Sequence, residues 1–142
     1  MKKAAHLRRG ASGEDYATRL LKNLGLTILA RNFRGPVGEL DIIAREGAQL
    51  CFVEVKTRDV HSPYRPIDAI SPEKLWRLVR TADRYLRQIG HPAIVHRFDV
   101  VELIMDGAKV IEARYWRDEL HREDARRPGR LGRPIDKFYA TE

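Results

Sequence analysis

The sequence predicts an α/β domain whose central mixed sheet is flanked by helices, and three observations carry that prediction. Residues 39–56 alternate in character around a Gly-containing break, the mark of a β-hairpin. Two stretches with helical spacing, one opening near Ser12 and one at Ser71, lie before and after it. An apolar, β-branched segment follows the second helix, and strand–helix–strand order implies a right-handed parallel connection beside the hairpin.

With 142 residues the chain can bury one real core but not two. Its 43% hydrophobic and 33% charged residues are ordinary for a globular protein and argue against a disordered chain. No run approaches the roughly 18 apolar residues of a membrane span, and the basic start MKKAAHLRRG has no apolar segment behind it to make a secretory signal. The single cysteine, Cys51, falls on an apolar strand face, so a reduced core thiol and a cytoplasmic setting are expected. Lys and Arg outnumber Asp and Glu by 27 to 20, a net +7. That balance points to a polyanionic partner, most simply nucleic acid, against the plainer reading of a basic solvated surface.

In chain order, residues 1–11 form a basic N-terminal arm or a lead-in to the first helix, carrying Lys2, Lys3, Arg8 and Arg9. Ser12-Gly-Glu-Asp resembles a capping box with Asp at its last position. Ala17, Leu20, Leu21 and Leu24 make the apolar stripe of that helix, and Gly25 closes it. Glu14 shares the inward side of the stripe. It either complements the helix dipole or delivers a carboxylate to the rim of the sheet. Thr27–Phe33 reads as a strand and 34–38 as a turn. After the hairpin, the polar segment 57–70 with Pro63 and Pro66 reads as a long loop.

Ser71 is an N-cap with Pro72 at the first helical position, and Gly90 and Pro92 end the second helix. Leu75, Val79, Ala82, Leu86 and Ile89 line one side of it. Arg77, Arg80, Arg84 and Arg87 line the other, a ridge read as solvated and partly paired through Asp83, or as a nucleic-acid contact. Residues 93–104 form a strand, Asp106-Gly107 a hairpin turn, and 108–116 a last strand. From Arg117 the pattern fails. The expected organisation is therefore an arm at 1–11, a domain at 12–116 and a loosely ordered basic tail at 117–142, a clamp on a backbone or a solvated terminus.

The hairpin carries the chemistry. Centred on Gly47-Ala48, strands 39–45 and 50–56 pair Leu40 with Val55, Ile42 with Val53 and Ala44 with Cys51 on one wholly apolar face. The other face pairs Ile43 with Phe52, Asp41 with Glu54 and Glu39 with Lys56, and a one-residue slip would drive carboxylates into the core. Two opposed carboxylates, with Cβ atoms roughly 4.5–5.5 Å apart, repel each other. A divalent cation between them would turn repulsion into coordination, and Lys56 on the same face could meet a phosphate or an attacking water. The alternative is a solvated rim of charged strand residues. Nothing competes elsewhere. The five histidines show no ligand spacing, one cysteine makes no zinc site, and neither a phosphate-cradling Gly-rich loop nor a serine elbow is present.

The order helix–three strands–helix–strands, with Glu14, Asp41, Glu54 and Lys56 in those places, resembles the PD-(D/E)xK nuclease superfamily. More narrowly, Gly13-Glu14, Gly38-Glu39-Leu-Asp41, Phe52-Val-Glu54-Val-Lys56-Thr-Arg58 and Arg97-Phe-Asp99-Val-Val resemble the bacterial YraN-type family of nuclease-like proteins. That family is in turn similar to the dimeric archaeal Holliday-junction resolvases. Leu40 stands where the superfamily motif has a dispensable proline. The resemblance implies a restriction-endonuclease-like αβββαβ core and a metal-dependent endonuclease acting on DNA, branched DNA of repair or recombination included, as a homodimer. It implies Asp41 and Glu54 as ligands of Mg²⁺ or Mn²⁺, Lys56 as the residue that orients water or stabilises developing charge, and Glu14 as a partner through the metal's water shell. Glu39, Thr57 and Arg58 are supporting residues and Asp99 is a structural anchor. Lys2, Lys3, Arg8, Arg9, Arg34, Arg126 and Arg127 are the basic residues expected on nucleic acid. The rival expectation is a non-catalytic nucleic-acid-binding module on the same fold.

Overall fold

The computed structural model describes residues 2–63 and 70–129, and of residues 2–12 the backbone alone. A 22-residue helix α1 (Lys2–Asn23) is followed by three antiparallel strands, β1 (Thr27–Arg34), β2 (Glu39–Glu46) and β3 (Gln49–Asp59). Helix α2 (Pro72–Gln88) then leads to β4 (His96–Asp106) and β5 (Lys109–Leu120). The strands lie side by side in chain order as one five-stranded sheet, parallel only between β3 and β4, which α2 connects. The fold is thus mixed α/β with two helices.

Local chemistry sets most of these limits. The Ser71 hydroxyl accepts from the Lys74 amide at 3.1 Å and Pro72 follows it, so α2 starts where the cap dictates. Both helices end on a left-handed glycine. Gly25 (φ 96°) donates to Lys22 O at 3.0 Å while Leu26 donates back to Leu21 O at 3.0 Å, and Leu26 and Leu21 are both buried in the same core. Leu24, at 47% exposure, therefore falls outside the stripe expected of it, as does Ile89 at 44% beyond the end of α2.

At the ends of the chain the structure departs from expectation. Helix α1 begins at Lys2 and not near Ser12, because the Lys-, Ala-, Leu- and Arg-rich segment before Gly10 consists of good helix formers. Residues 2–11 are therefore the lead-in to the first helix, the alternative to an arm. Strand β5 runs past Trp116 to Leu120, a 3₁₀ turn follows at Arg122–Asp124, and the Arg126 amide donates to Pro72 O at 3.0 Å. The segment from Arg117 to Gly129 is thus tied to the sheet and to α2, while 130–142 lies outside the described residues.

Both faces of the sheet are covered. On the α1 side Ala17, Leu21, Ile42, Ala44, Cys51, Val53, Val101, Leu103 and Met105 form one core. On the α2 side Ile43, Phe52 and Phe98 pack with Leu75, Leu78, Ala82 and Leu86. Cys51 is a free, fully buried thiol, and burial pushes it up to about 11. The hairpin register follows the expected arithmetic from Ile42↔Val53 to Glu46↔Gln49. Leu40 does not. It joins the α2-side core with Ile43, so the alternation breaks at Asp41.

At the turn end of the hairpin a second polar network locks three strands. Asp99, wholly buried, receives both Arg97 Nε contacts (3.0 and 3.1 Å), the Tyr115 hydroxyl and the Asp118 amide (2.8 Å). The same Arg97 reaches Glu46 Oε1 at 2.6 Å, and Arg117 pairs with both Glu46 oxygens at 2.8 Å. Asp99 is a structural anchor, since its buried charge is fully hydrogen-bonded.

Candidate active site

Where the β2–β3 ladder stops, Asp41 takes over. Its Oδ2 accepts the Val55 amide at 2.7 Å, a bond that a backbone carbonyl would make in a continued ladder. Asp41 and Glu54 are therefore brought together by a side chain substituting for a rung, not as the directly opposed ladder pair the sequence suggests. Glu54 is 6% exposed. Loss of water raises its carboxyl first and the neighbouring Asp41 raises it further, to about 7. Asp41 is also raised, again chiefly by burial, although the Val55 amide and a hydrogen bond with Glu54 work the other way.

Two lysines face this pair. Lys56 Nζ lies 3.8 Å and Lys74 Nζ 3.4 Å from Glu54 Oε1, and the two lysine side chains lie close enough to influence each other. Burial lowers Lys56, and the Lys74 contact lowers it further. Burial also disfavours the charge on Lys74, but Lys56, Glu54 and Asp41 together outweigh that and leave it raised. The two lysines are thus shifted in opposite directions, Lys56 down and Lys74 up.

Glu14 approaches from α1. Gly13 makes this possible: a Cβ there would stand 2.9 Å from Thr57 Cγ2 on β3. Burial raises the Glu14 carboxyl first and Asp41 second. Arg31, 2.9 Å from Asp15 and 3.8 Å from Glu14, pulls it down. Asn32, held at φ 52°, places its amide group 3.1 Å from Glu14 Oε2 and 3.3 Å from Glu39 Oε1, and with its nitrogen assigned to that side it donates to both carboxylates. Asn tolerates this left-handed conformation in a strand where a β-branched residue would be strained.

Among the described residues no three His, Cys, Asp or Glu side chains form a set that could hold a metal ion. Two carboxylates suffice for Mg²⁺, which keeps several waters and takes one or two protein oxygens. Asp41 and Glu54 fit that requirement: hard oxygen donors, adjacent, and each disfavoured as an anion until a cation arrives.

The profile of the uncharacterised protein family UPF0102 matches residues 13–103. A UPF0102 protein of Caldicellulosiruptor saccharolyticus is 44% identical over 97 residues, covering 68% of this chain and 82% of its own. One from Desulfosudis oleivorans is 46% identical over 92 residues, 65% of this chain and 75% of its own. The chain belongs to the UPF0102 family.

The UPF0102 segment, which bears the YraN-type motifs, contains Glu14, Asp41, Glu54 and Lys56, which the fold gathers at one end of the sheet, together with Lys74. Glu39 is tied to Arg34 Nε at 3.2 Å, and Asn32 links it to Glu14. Thr57 supports the site as the floor under Gly13. Arg58 turns away: its NH1 donates to Ser62 O at 2.5 Å, and it lines a cavity of about 130 Å³ with Glu102, Ile104, Glu112 and Arg114. The Arg34 side chain is 81% exposed beside the β1–β2 turn. Arg126 NH1 donates to Glu123 O and Ala125 O, folding onto its own turn, and Arg127 is exposed. The side chains of Lys2, Lys3, Arg8 and Arg9 lie outside the described residues. Sequence reasoning missed Lys74 and Asn32. The first carries no signal among other helix lysines and arginines, whereas an Asn amid the β-formers of TILARNF is a mild one.

Proposed function

We propose that this UPF0102 protein is a metal-dependent endonuclease on a restriction-endonuclease-like core, hydrolysing phosphodiester bonds of DNA in the cytoplasm, with branched repair or recombination intermediates as the substrate class and a homodimer as the working form. The observation that carries the reading is buried Glu54 beside half-buried Asp41, set against Lys56 and Lys74. A mere solvated rim has no reason to withdraw one acid from water beside another, because the cost of desolvating like charges goes uncompensated.

Asp41 and Glu54 would hold Mg²⁺ or Mn²⁺, with Glu14 reaching it through water. Bound there, the ion supplies Lewis-acid stabilisation of the phosphoryl oxygens and lowers the pKa of bound water. Lys56, on the face of Glu54, is placed to orient the attacking water or to stabilise developing charge. Lys74 stays charged, which offsets negative charge developing at the phosphorus. The Val55 amide holds Asp41 in its rotamer, so one carboxylate is preorganised before substrate arrives.

The test is cleavage of linear, nicked, flapped and four-way DNA with Mg²⁺, with a chelator control and Asp41→Ala, Glu54→Ala and Lys56→Ala in parallel. Loss of nicking in all three, with DNA binding kept, supports the reading. Equal nicking by wild type and mutants marks contamination and removes the enzyme assignment. Binding without any cleavage favours the non-catalytic nucleic-acid-binding module.

A further inference from the structure

The geometry points to the arginine face of α2, together with the β1–β2 turn packed on it, as a track for the sugar–phosphate backbone of duplex DNA leading away from the carboxylate site. The inference deepens the reading of that site as one acting on DNA, and it begins with Lys74. That lysine reaches Glu54, and one turn further along the same helix comes Arg77, then Arg80, Arg84 and Arg87. At about 100° per residue the four arginines share an arc of about 80°, and from Arg77 to Arg87 they span about 15 Å. One strand of duplex DNA carries about four phosphates over that axial length, at 3.4 Å each.

Charge pairing separates this surface from an ordinary solvated one. The sequence suggests Asp83 as a partner for the ridge, but Asp83 is taken by Arg122, whose NH1 and NH2 lie 3.0 and 2.9 Å from its oxygens. All four ridge arginines are exposed, and among the described residues no carboxylate lies within ion-pair distance of any of them. Among the described residues only Arg80 is otherwise engaged, over the Trp76 ring at 5.7 Å. Four unneutralised guanidinium groups in one row repel one another, so the row costs stability unless an anion lies along it.

The turn shapes the row into a groove. Gly38 sits where a Cβ would come within 3.2 Å of Arg77 Cβ, and Gly35 where it would come within 3.3 Å of Arg84 Cδ. Pro36 and Val37 wall a cavity of about 90 Å³ with Arg80, Thr81, Arg84 and Arg87. Arg34 stands exposed at the mouth of the same turn, which runs straight into Glu39 of the site. Guanidinium forks suit phosphate oxygens bidentately and read no base, so the track would position DNA without selecting sequence.

The experiment compares two charge-matched double variants of the full chain, Arg80→Gln/Arg84→Gln on the ridge and Arg19→Gln/Arg45→Gln on exposed positions elsewhere. Binding to a labelled duplex is measured in chelator between 50 and 200 mM salt, with thermal melts to show that each variant is folded. The ridge pair should lower the log–log salt slope by about 1.8, so that wild type loses about twelvefold more affinity than this variant across that range. The control pair should leave the slope unchanged. Equal slopes for the two variants, or no duplex binding by wild type, overturn the track. Chelator keeps this result apart from catalysis. Tight, ridge-dependent binding with no cleavage in Mg²⁺ would sink the nuclease reading and leave the track standing.

Discussion

Asp41 Oδ2 accepts the Val55 amide at 2.7 Å at the point where the β2–β3 ladder ends. One side chain thereby closes a gap in the sheet and still meets Glu54, to which it is hydrogen-bonded. The two jobs separate by mutation. Asp41→Asn keeps an acceptor for Val55 and removes the repulsion with Glu54, so the metal-free variant should melt at or slightly above wild type. Asp41→Ala strands a part-buried amide and should cost about 1–3 kcal/mol. Wild type should gain roughly 1.4 kcal/mol at ten times the Kd for Mg²⁺ or Mn²⁺, and both variants should lose most of that gain. Equal metal responses in wild type and Asp41→Asn would take Asp41 out of the site.

Two acids give stability–pH slopes of opposite sign. Glu54 is raised to about 7 from 4.5, so the folded state binds its proton more tightly than the unfolded one. In chelator, stability from this group is present at acid pH and is lost as pH rises from about 4.5 through about 7. Glu46 is lowered to about 2 by its hydrogen bonds to Arg117 and then Arg97, so its contribution is present above pH 4.5 and lost as pH falls toward 2. Urea midpoints of Glu54→Gln should lack the decline between pH 5 and 7.5. Those of Glu46→Gln should lack the loss in acid. A Glu54→Gln profile that still declines would move the raised carboxyl elsewhere.

Removing one side of the Asp99 network should be far more costly than removing a surface pair. Arg97 is 8% exposed and Asp99 0%, and breaking a buried pair from one side typically costs about 3–5 kcal/mol. Asp99→Ala should therefore lower the melting temperature steeply, while Arg114→Ala, breaking an exposed pair with Glu112, should change stability by under about 1 kcal/mol. Similar melting temperatures for the two variants would mean that the network is not an anchor.

Gly13 tests how Glu14 reaches the sheet. Alanine in a helix is favoured over glycine by roughly 0.5–1 kcal/mol, but here its Cβ would press on Thr57 Cγ2 at 2.9 Å. Gly13→Ala alone should give no gain or a loss. In a Thr57→Ser background, which lacks that methyl, the same change should recover the gain. Denaturant midpoints of the four proteins make a double-mutant cycle with an expected coupling of about 1 kcal/mol. Zero coupling would show that α1 does not rest on Thr57.

Short-range chemistry is legible in the residue pattern. Period-2 alternation set the register from Ile42↔Val53 to Glu46↔Gln49, and the Ser71-Pro72 and Gly90 signals bounded α2, because a pleat, a cap and a left-handed closure each act within a few residues. Glu54 and Lys56 on one face followed from the same periodicity. Contacts between partners far apart in the chain leave no such mark. Lys74 reaches Glu54 from another element, Arg122 takes Asp83 across 39 residues, and Asn32 links acids from α1 and β2. Leu40 leaves the expected face because Asp41 bonds to the Val55 backbone, and no residue pattern along β2 announces that a side chain will replace a rung. Alternation encodes which way a side chain leaves its own strand; which distant group it meets depends on how helices and sheet pack.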